Sequence, residues 1–485
     1  MFKSRAERQF MVTILPDGCM VRCVGQPVVI TSAANLRSEG LTMIDRKISR
    51  RFFFMSSAAS LVASKMLGRP ASLSRLGYKS PNEKLNIAAI GAGGKGASDI
   101  DGCKSENIVA LCDADWKNAA KTFEKYPSAK QYKDFRRMLD QQKDIDAVTI
   151  STPDHTHAVA AIWAMERGKH VYVQKPLTHS LWEARKLTEA GRKYRVATQM
   201  GNQGHSNEGA RQLCEMIWAG EIGNVKEVHA WTNRPLWPQG LKEAPAGEPV
   251  PGTFDWDVWL GPASQRPFSS EYAPFKWRGF FDFGCGALGD MACHILDPAN
   301  WALQLGYPTS IECTKQEGRT DLCFPNKSVI RFEFPARGNM PPVTVTWYDG
   351  GEMPARPEGI DRDTKLGDGD NGSLFIGDKG IITTGTYGQR TRLLPDSRMQ
   401  DYKFPEPLLS RSPGHYRDWI RACKGGEPAC SNFDYAGPFT EVVLLGVIAQ
   451  RFDGKLLWDG AKMKITNHSE ANHRVKDPYR KGWEL

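Results

Sequence analysis

No run of about 18 apolar residues occurs in this 485-residue chain, which excludes a bundle of membrane-spanning helices. None of its 11 cysteines forms a C-x-x-C pair, so neither a zinc ribbon nor a thioredoxin-like site is supported. They are too scattered for a disulfide-stapled secreted domain and read as small buried hydrophobes. A basic body is missing too, in spite of the net charge of +9. Residues 1–83 hold 13 of the 64 Lys/Arg but only 5 of the 55 Asp/Glu, which leaves the rest of the chain almost neutral. A polyphosphate partner needs positive charge on the folded body, so nucleic-acid binding is not expected.

What is present begins with a leader. Arg46-Lys47-Ile48-Ser49-Arg50-Arg51-Phe52-Phe53-Phe54-Met55 precedes a short Ser/Ala/Leu/Val stretch to Ser64. A basic region followed by a short apolar one is the layout of an export signal, and Ser-Arg-Arg-x-Phe resembles the twin-arginine type. The expectation is a periplasmic protein exported in folded form. Residues 1–42 are read as an upstream extension with Met43 as initiator, and 43–80 as signal and linker, with the mature start between about 64 and 80. Beyond the leader the length suits two domains, taken here as 84–205 and 206–460, with a tail at 461–485.

From Lys84 the pattern changes. Leu85–Ile90 is a short apolar run suited to a strand buried on both faces, and it leads into Gly91-Ala92-Gly93-Gly94-Lys95-Gly96. This satisfies G-x-G-x-x-G: Gly91 for a tight turn, Gly93 for close approach of backbone to a pyrophosphate, Gly96 for close packing of the next helix. A second strand, Ile108–Cys112, ends in Asp113, placed to accept the ribose hydroxyls and to repel a 2′-phosphate. NAD is therefore expected over NADP. Strands at Asp146–Ser151 and His170–Val173 alternate with helical stretches, which means a doubly wound parallel sheet. Ligands on such sheets sit at the carboxyl ends of strands, so the loops Thr152-Pro153-Asp154-His155-Thr156-His157 and Gln174-Lys175-Pro176 become candidates.

Farther on, Asp290 and His294 are four residues apart and would share one helix face. Oxidising an alcohol requires a base for the hydroxyl proton and a cation for the developing alkoxide. His294 suits the base and Lys175 the cation, with Asp290 a partner for His294 or for a substrate hydroxyl. The same spacing could seed a metal site, but further ligands are not evident and no metal is expected. The aromatic stretch at 225–280 suits a polyhydroxylated ring, with Trp231, Arg234 and Trp237 as candidate substrate contacts. Gly367–Gly372 reads as a polar turn.

These motifs, with Gly168-Lys169-His170-Val171-Tyr172-Val173 and Gly286–Asp297, resemble the glucose–fructose oxidoreductase / inositol dehydrogenase / rhizopine catabolism (Gfo/Idh/MocA) family over roughly residues 84–460. The resemblance implies a Rossmann domain followed by an α/β domain with a large open, mainly antiparallel sheet, and an even-numbered homo-oligomer. It places Lys175 beside the nicotinamide and the reacting hydroxyl, and Asp154, His157 and Asn202 along the cofactor. The family's Glu-Lys-Pro appears here as Gln174-Lys175-Pro176, so one charge is missing and the lysine's surroundings should differ. The expected activity is oxidation of a secondary hydroxyl of a sugar, cyclitol or glycoside, with NAD tightly held and recycled. The alternatives are NAD-dependent glycoside cleavage through a transient keto sugar, and a catalytically silent sugar-binding relative.

Overall fold

The computed structural model describes residues 79, 80 and 82–485, so the leader and start-site expectations lie outside the described residues. Six strands form the first sheet: β1 (Asn86–Ile90), β2 (Asn107–Cys112), β3 (Lys130–Tyr132), β4 (Ala147–Ile150), β5 (His170–Gln174) and β6 (Thr198–Gly201). Their order is 3-2-1-4-5-6 and every pairing is parallel. β4 and β5 are buried along their whole length, because helices cover both faces of the sheet.

The second sheet has nine strands: β7 (Val225–Trp231), β8 (Ser310–Glu317), β9 (Lys327–Phe334), β10 (Val343–Tyr348), β11 (Gly372–Gly377), β12 (Ile381–Thr384), β13 (Arg392–Leu394), β14 (Leu456–Asp459) and β15 (Lys464–Ile465). They run in the order 13-12-11-7-10-9-8-14-15, and only β7 and β10 pair in parallel. Alternation along β10 shows how the sheet is built. Val343, Val345 and Trp347 point into the core, while Thr344, Thr346 and Tyr348 stand half-buried on the opposite face.

The helix Phe433–Ala449 is apolar nearly all round and correspondingly buried. It packs against helix Leu181–Tyr194 of the first domain, helix Gly286–Ile295 of the second, and strands β6, β8 and β9. The chain also returns to the first domain twice more. Helix His415–Cys423 puts Trp419 against Tyr172, in one apolar cluster with Leu85 and Ile87. Residues 461–485, expected as a tail, fold back on the body. Trp483 is buried against Phe135, Tyr479 donates to Glu183, and Arg480 pairs with Asp257. Among the described residues no helix is long and apolar enough to cross a membrane.

Candidate active site

A cleft of about 720 Å³ runs along the carboxyl ends of β1, β2, β4 and β5, a size suited to a cofactor or small molecule. The glycine loop forms one wall. Gly91 has φ +84°, and a Cβ there would strike the Ser151 carbonyl at the end of β4. A Cβ on Gly96 would overlap the Gly91 carbonyl oxygen, so close packing of the following helix does require glycine. At Gly93 the obstacle to a side chain is Asn118, a contact within the protein as well as any approach by phosphate. Gly94 faces open space, and helix Lys95–Gly102 begins there with no side-chain cap; the Gly96 N–H turns back to the Gly93 carbonyl at 2.9 Å, which leaves part of the first turn for a ligand.

Asp113 reaches the cleft as expected, but its carboxylate is busier than the sequence suggests. It accepts backbone N–H groups from Ala92 and Gly93 at 2.8 and 2.9 Å and from Asp115 at 2.8 Å. A carboxylate has about four lone-pair sites, so about one remains for a ribose hydroxyl rather than two or more. Burial pushes its pKa up to about 6 against the pull of those three bonds.

The reacting end gathers at the tips of β4, β5 and helix Gly286–Ile295. Thr152, Pro153 and Asp154 line the cleft, and Asp154 accepts the Cys285 N–H at 3.1 Å. Lys175 donates to the Asp290 backbone carbonyl at 2.5 Å and to its carboxylate at 2.8 Å. Burial raises the pKa of Asp290, but the Lys175 and Arg278 charges and the Lys175 hydrogen bond outweigh it, and the carboxyl lies at about 2. His294 follows one helical turn later, 4% exposed, its ring 4.7 Å from that of Tyr387. Burial and the charge of Lys175 push its pKa well below 6.5, so the imidazole is neutral.

Asp290 therefore holds the lysine rather than the histidine: His294 Nδ1 is buried and has no hydrogen-bond partner among the described residues. The missing charge at Gln174 also has a replacement. Gln174 donates to both carboxylate oxygens of Asp99 at 2.9 and 3.1 Å. Asp99 itself is fully buried and accepts further bonds from Ser151, Tyr416 and Lys95.

Four expected contacts lie elsewhere. Trp231 is fully buried, its indole N–H donating to the Gly369 carbonyl at 2.7 Å, and is a packing residue. Trp237 is buried behind Phe275, bonded to Gln239 at 3.0 Å, and is absent from the cleft lining. Asn202 sits in an internal network with Asp297 and Ser431. His157 is fully buried and ties the Pro176 carbonyl to that of Thr152, both at 2.9 Å, so it braces the two loops without facing the cleft. Arg234 does line the cleft, and Arg278, Lys95, Phe275 and Tyr387 line it without having been singled out. No local motif marks Arg278. Among the described residues no cluster of His, Cys, Asp and Glu is arranged to hold a metal ion.

A depressed histidine pKa has a measurable consequence. With cofactor bound and substrate saturating, the rate should stay level from pH 8 down to 6.5, because His294 remains an acceptor throughout that window. An acid limb centred at or above pH 6.5 in a single-turnover profile would remove His294 as the base.

The parallel sheet, glycine loop and uncapped helix start fit a dinucleotide, and the lysine–carboxylate pair beside them is an arrangement suited to NAD-dependent oxidoreductases. Residues 85–202 match the NAD-binding Rossmann fold of the Gfo/Idh/MocA oxidoreductase family, and residues 222–485 match its C-terminal alpha/beta domain. The chain belongs to that family. It is 32% identical to inositol 2-dehydrogenase of Salmonella typhimurium over 124 residues, 25% of this chain and 37% of that protein. It is 28% identical to D-glucoside 3-dehydrogenase of Escherichia coli over 228 residues, 46% and 55% respectively. The chain thus spans about half or less of these relatives. The WlbA dehydrogenase from Bordetella pertussis, solved in complex with NADH and UDP-GlcNAcA, shares the fold with a TM-score of 0.55 at 16% identity, covering 78% of this chain and 99% of that one.

Proposed function

We propose that the protein oxidises a secondary hydroxyl of a sugar, cyclitol or glycoside to the ketone, with NAD as its tightly held cofactor. The observation that carries this is the convergence of Lys175, Asp290 and neutral His294 at the end of a cleft that begins at the glycine loop. A bound nicotinamide would accept the hydride from the carbinol carbon. Lys175, fixed by Asp290, hydrogen-bonds the substrate oxygen and stabilises its developing negative charge. His294 accepts the hydroxyl proton, and the C–O bond becomes a carbonyl as the C–H electrons leave. The likeness to inositol and glucoside dehydrogenases supports a polyol substrate.

The reading extends to location and assembly. The Arg50-Arg51 leader supports export of the folded, cofactor-loaded protein, which would then have to restore its NAD within each cycle. Assembly as an even-numbered homo-oligomer is part of the same proposal. The purified holoprotein, mixed with a panel of sugars, should gain absorbance near 340 nm. A spectrum unchanged across the panel would favour a sugar-binding protein that keeps NAD as a structural part.

A further inference from the structure

The reacting end of the cleft carries more positive charge than its chemistry needs. Lys175, Arg278 and Arg234 stand 2.8, 3.5 and 4.0 Å from the single carboxylate of Asp290. The other carboxylate at this end is Asp154, which is buried and pushed by that burial toward its neutral form. Lys95, also in the lining, is spent on Asp99. Three cations therefore face two carboxylates, so positive charge exceeds negative at this end.

The two arginines are also built to receive something. The Arg278 guanidinium lies 4.3 Å from the Trp277 ring and 4.7 Å from Phe275, and one terminal nitrogen donates to the Phe275 carbonyl at 3.1 Å. Stacking and that bond hold its plane in place, and among the described residues its other terminal nitrogen makes no hydrogen bond. Arg234 shares the bonding but not the stacking: one terminal nitrogen donates to Asn233 at 2.6 Å, and among the described residues the other has no hydrogen-bond partner. Both side chains are about a quarter exposed, at 26% and 23%, and both line the cleft. Each remaining guanidinium N–H can donate a charge-assisted hydrogen bond to a carboxylate oxygen. A neutral sugar closing over them would accept hydrogen bonds through its hydroxyls but would bring no charge to balance theirs.

We propose that the substrate is an acidic sugar, a uronic or aldonic acid unit, whose carboxylate is received by the free nitrogens of Arg234 and Arg278 while its hydroxyl lies at Lys175. This rests on the oxidoreductase reading for the reaction, but the charge preference can be read without turnover.

The test uses NAD-loaded protein with glucuronate, galacturonate and gluconate against the methyl ester or neutral parent sugar of each. Binding is followed by calorimetry and turnover by absorbance at 340 nm. At least one acid should bind about 100-fold more tightly than its uncharged counterpart, and Arg278→Gln or Arg234→Gln should bring the acid and its ester to within a few fold of each other. Equal or tighter binding of every uncharged partner overturns the proposal. So does loss of NAD retention in both variants with the acid preference intact, since the guanidiniums would then serve the cofactor. An acid that binds preferentially but never changes the 340 nm signal sinks the oxidoreductase reading and leaves this one standing.

Discussion

Lys175→Met should lower the single-turnover rate of NADH appearance by about 10²–10³-fold while leaving the fold and the bound cofactor in place. On the proposed mechanism the ammonium is the group that meets the oxygen as it gains charge, and methionine keeps the length of the stem without the donor. Removing one partner of a buried ion pair usually destabilises, because the other is left bare. Here Asp290 retains Arg278 at 3.5 Å and Arg234 at 4.0 Å, so it is not stranded. Stopped-flow absorbance reads the rate and a thermal melt reads the fold. A variant that turns over at the parent rate would take Lys175 out of the chemistry, whatever its melting temperature.

Gly96→Ala should weaken NAD binding by about 100-fold, the equivalent of about 3 kcal/mol of local overpacking. The added methyl would overlap the Gly91 carbonyl oxygen, and neither group can step aside. Gly91 is pinned by its N–H to the Cys112 carbonyl at 2.8 Å and by the Ser151 backbone beside it, while Gly96 begins a helix packed on the sheet. The helix start must shift, and its free N–H groups shift with it. Gly220→Ala is the control: φ is +81° there, but no atom lies within 4 Å of the added methyl. It carries the backbone cost alone, about 1 kcal/mol, and should leave NAD affinity untouched. Calorimetric titration with NAD distinguishes the two, and equal affinities would mean that the glycine loop does not set the cofactor site.

The parts of the site legible in the sequence are those encoded over short distances. Gly91, Gly93 and Gly96 follow a strand at fixed offsets, Asp113 ends the next strand, and Asp290 and His294 share a helix turn, so spacing alone locates them. Partnership was less legible. Asp290 pairs with a lysine 115 positions away instead of the histidine four residues on, since the cleft-facing side of its helix meets the β5 loop. Aromatic composition misled at Trp231 and Trp237, where size and flatness serve packing as well as they serve a sugar face. Arg278 and Asp99 carried no signal, being ordinary charged residues until the fold brings them to Asp290 and Gln174.

The long buried helix Phe433–Ala449, shared between the two domains, has a kinetic consequence. With one rod packed against both sheets, swinging the molecule open and shut like a jaw would have to break those contacts. Entry and exit would then pass the rim, where Phe275 and Tyr387 stand 49% and 41% exposed, and small local movements there would gate turnover. Stiffening that rim, rather than the body, is the change that would slow the enzyme without touching its chemistry.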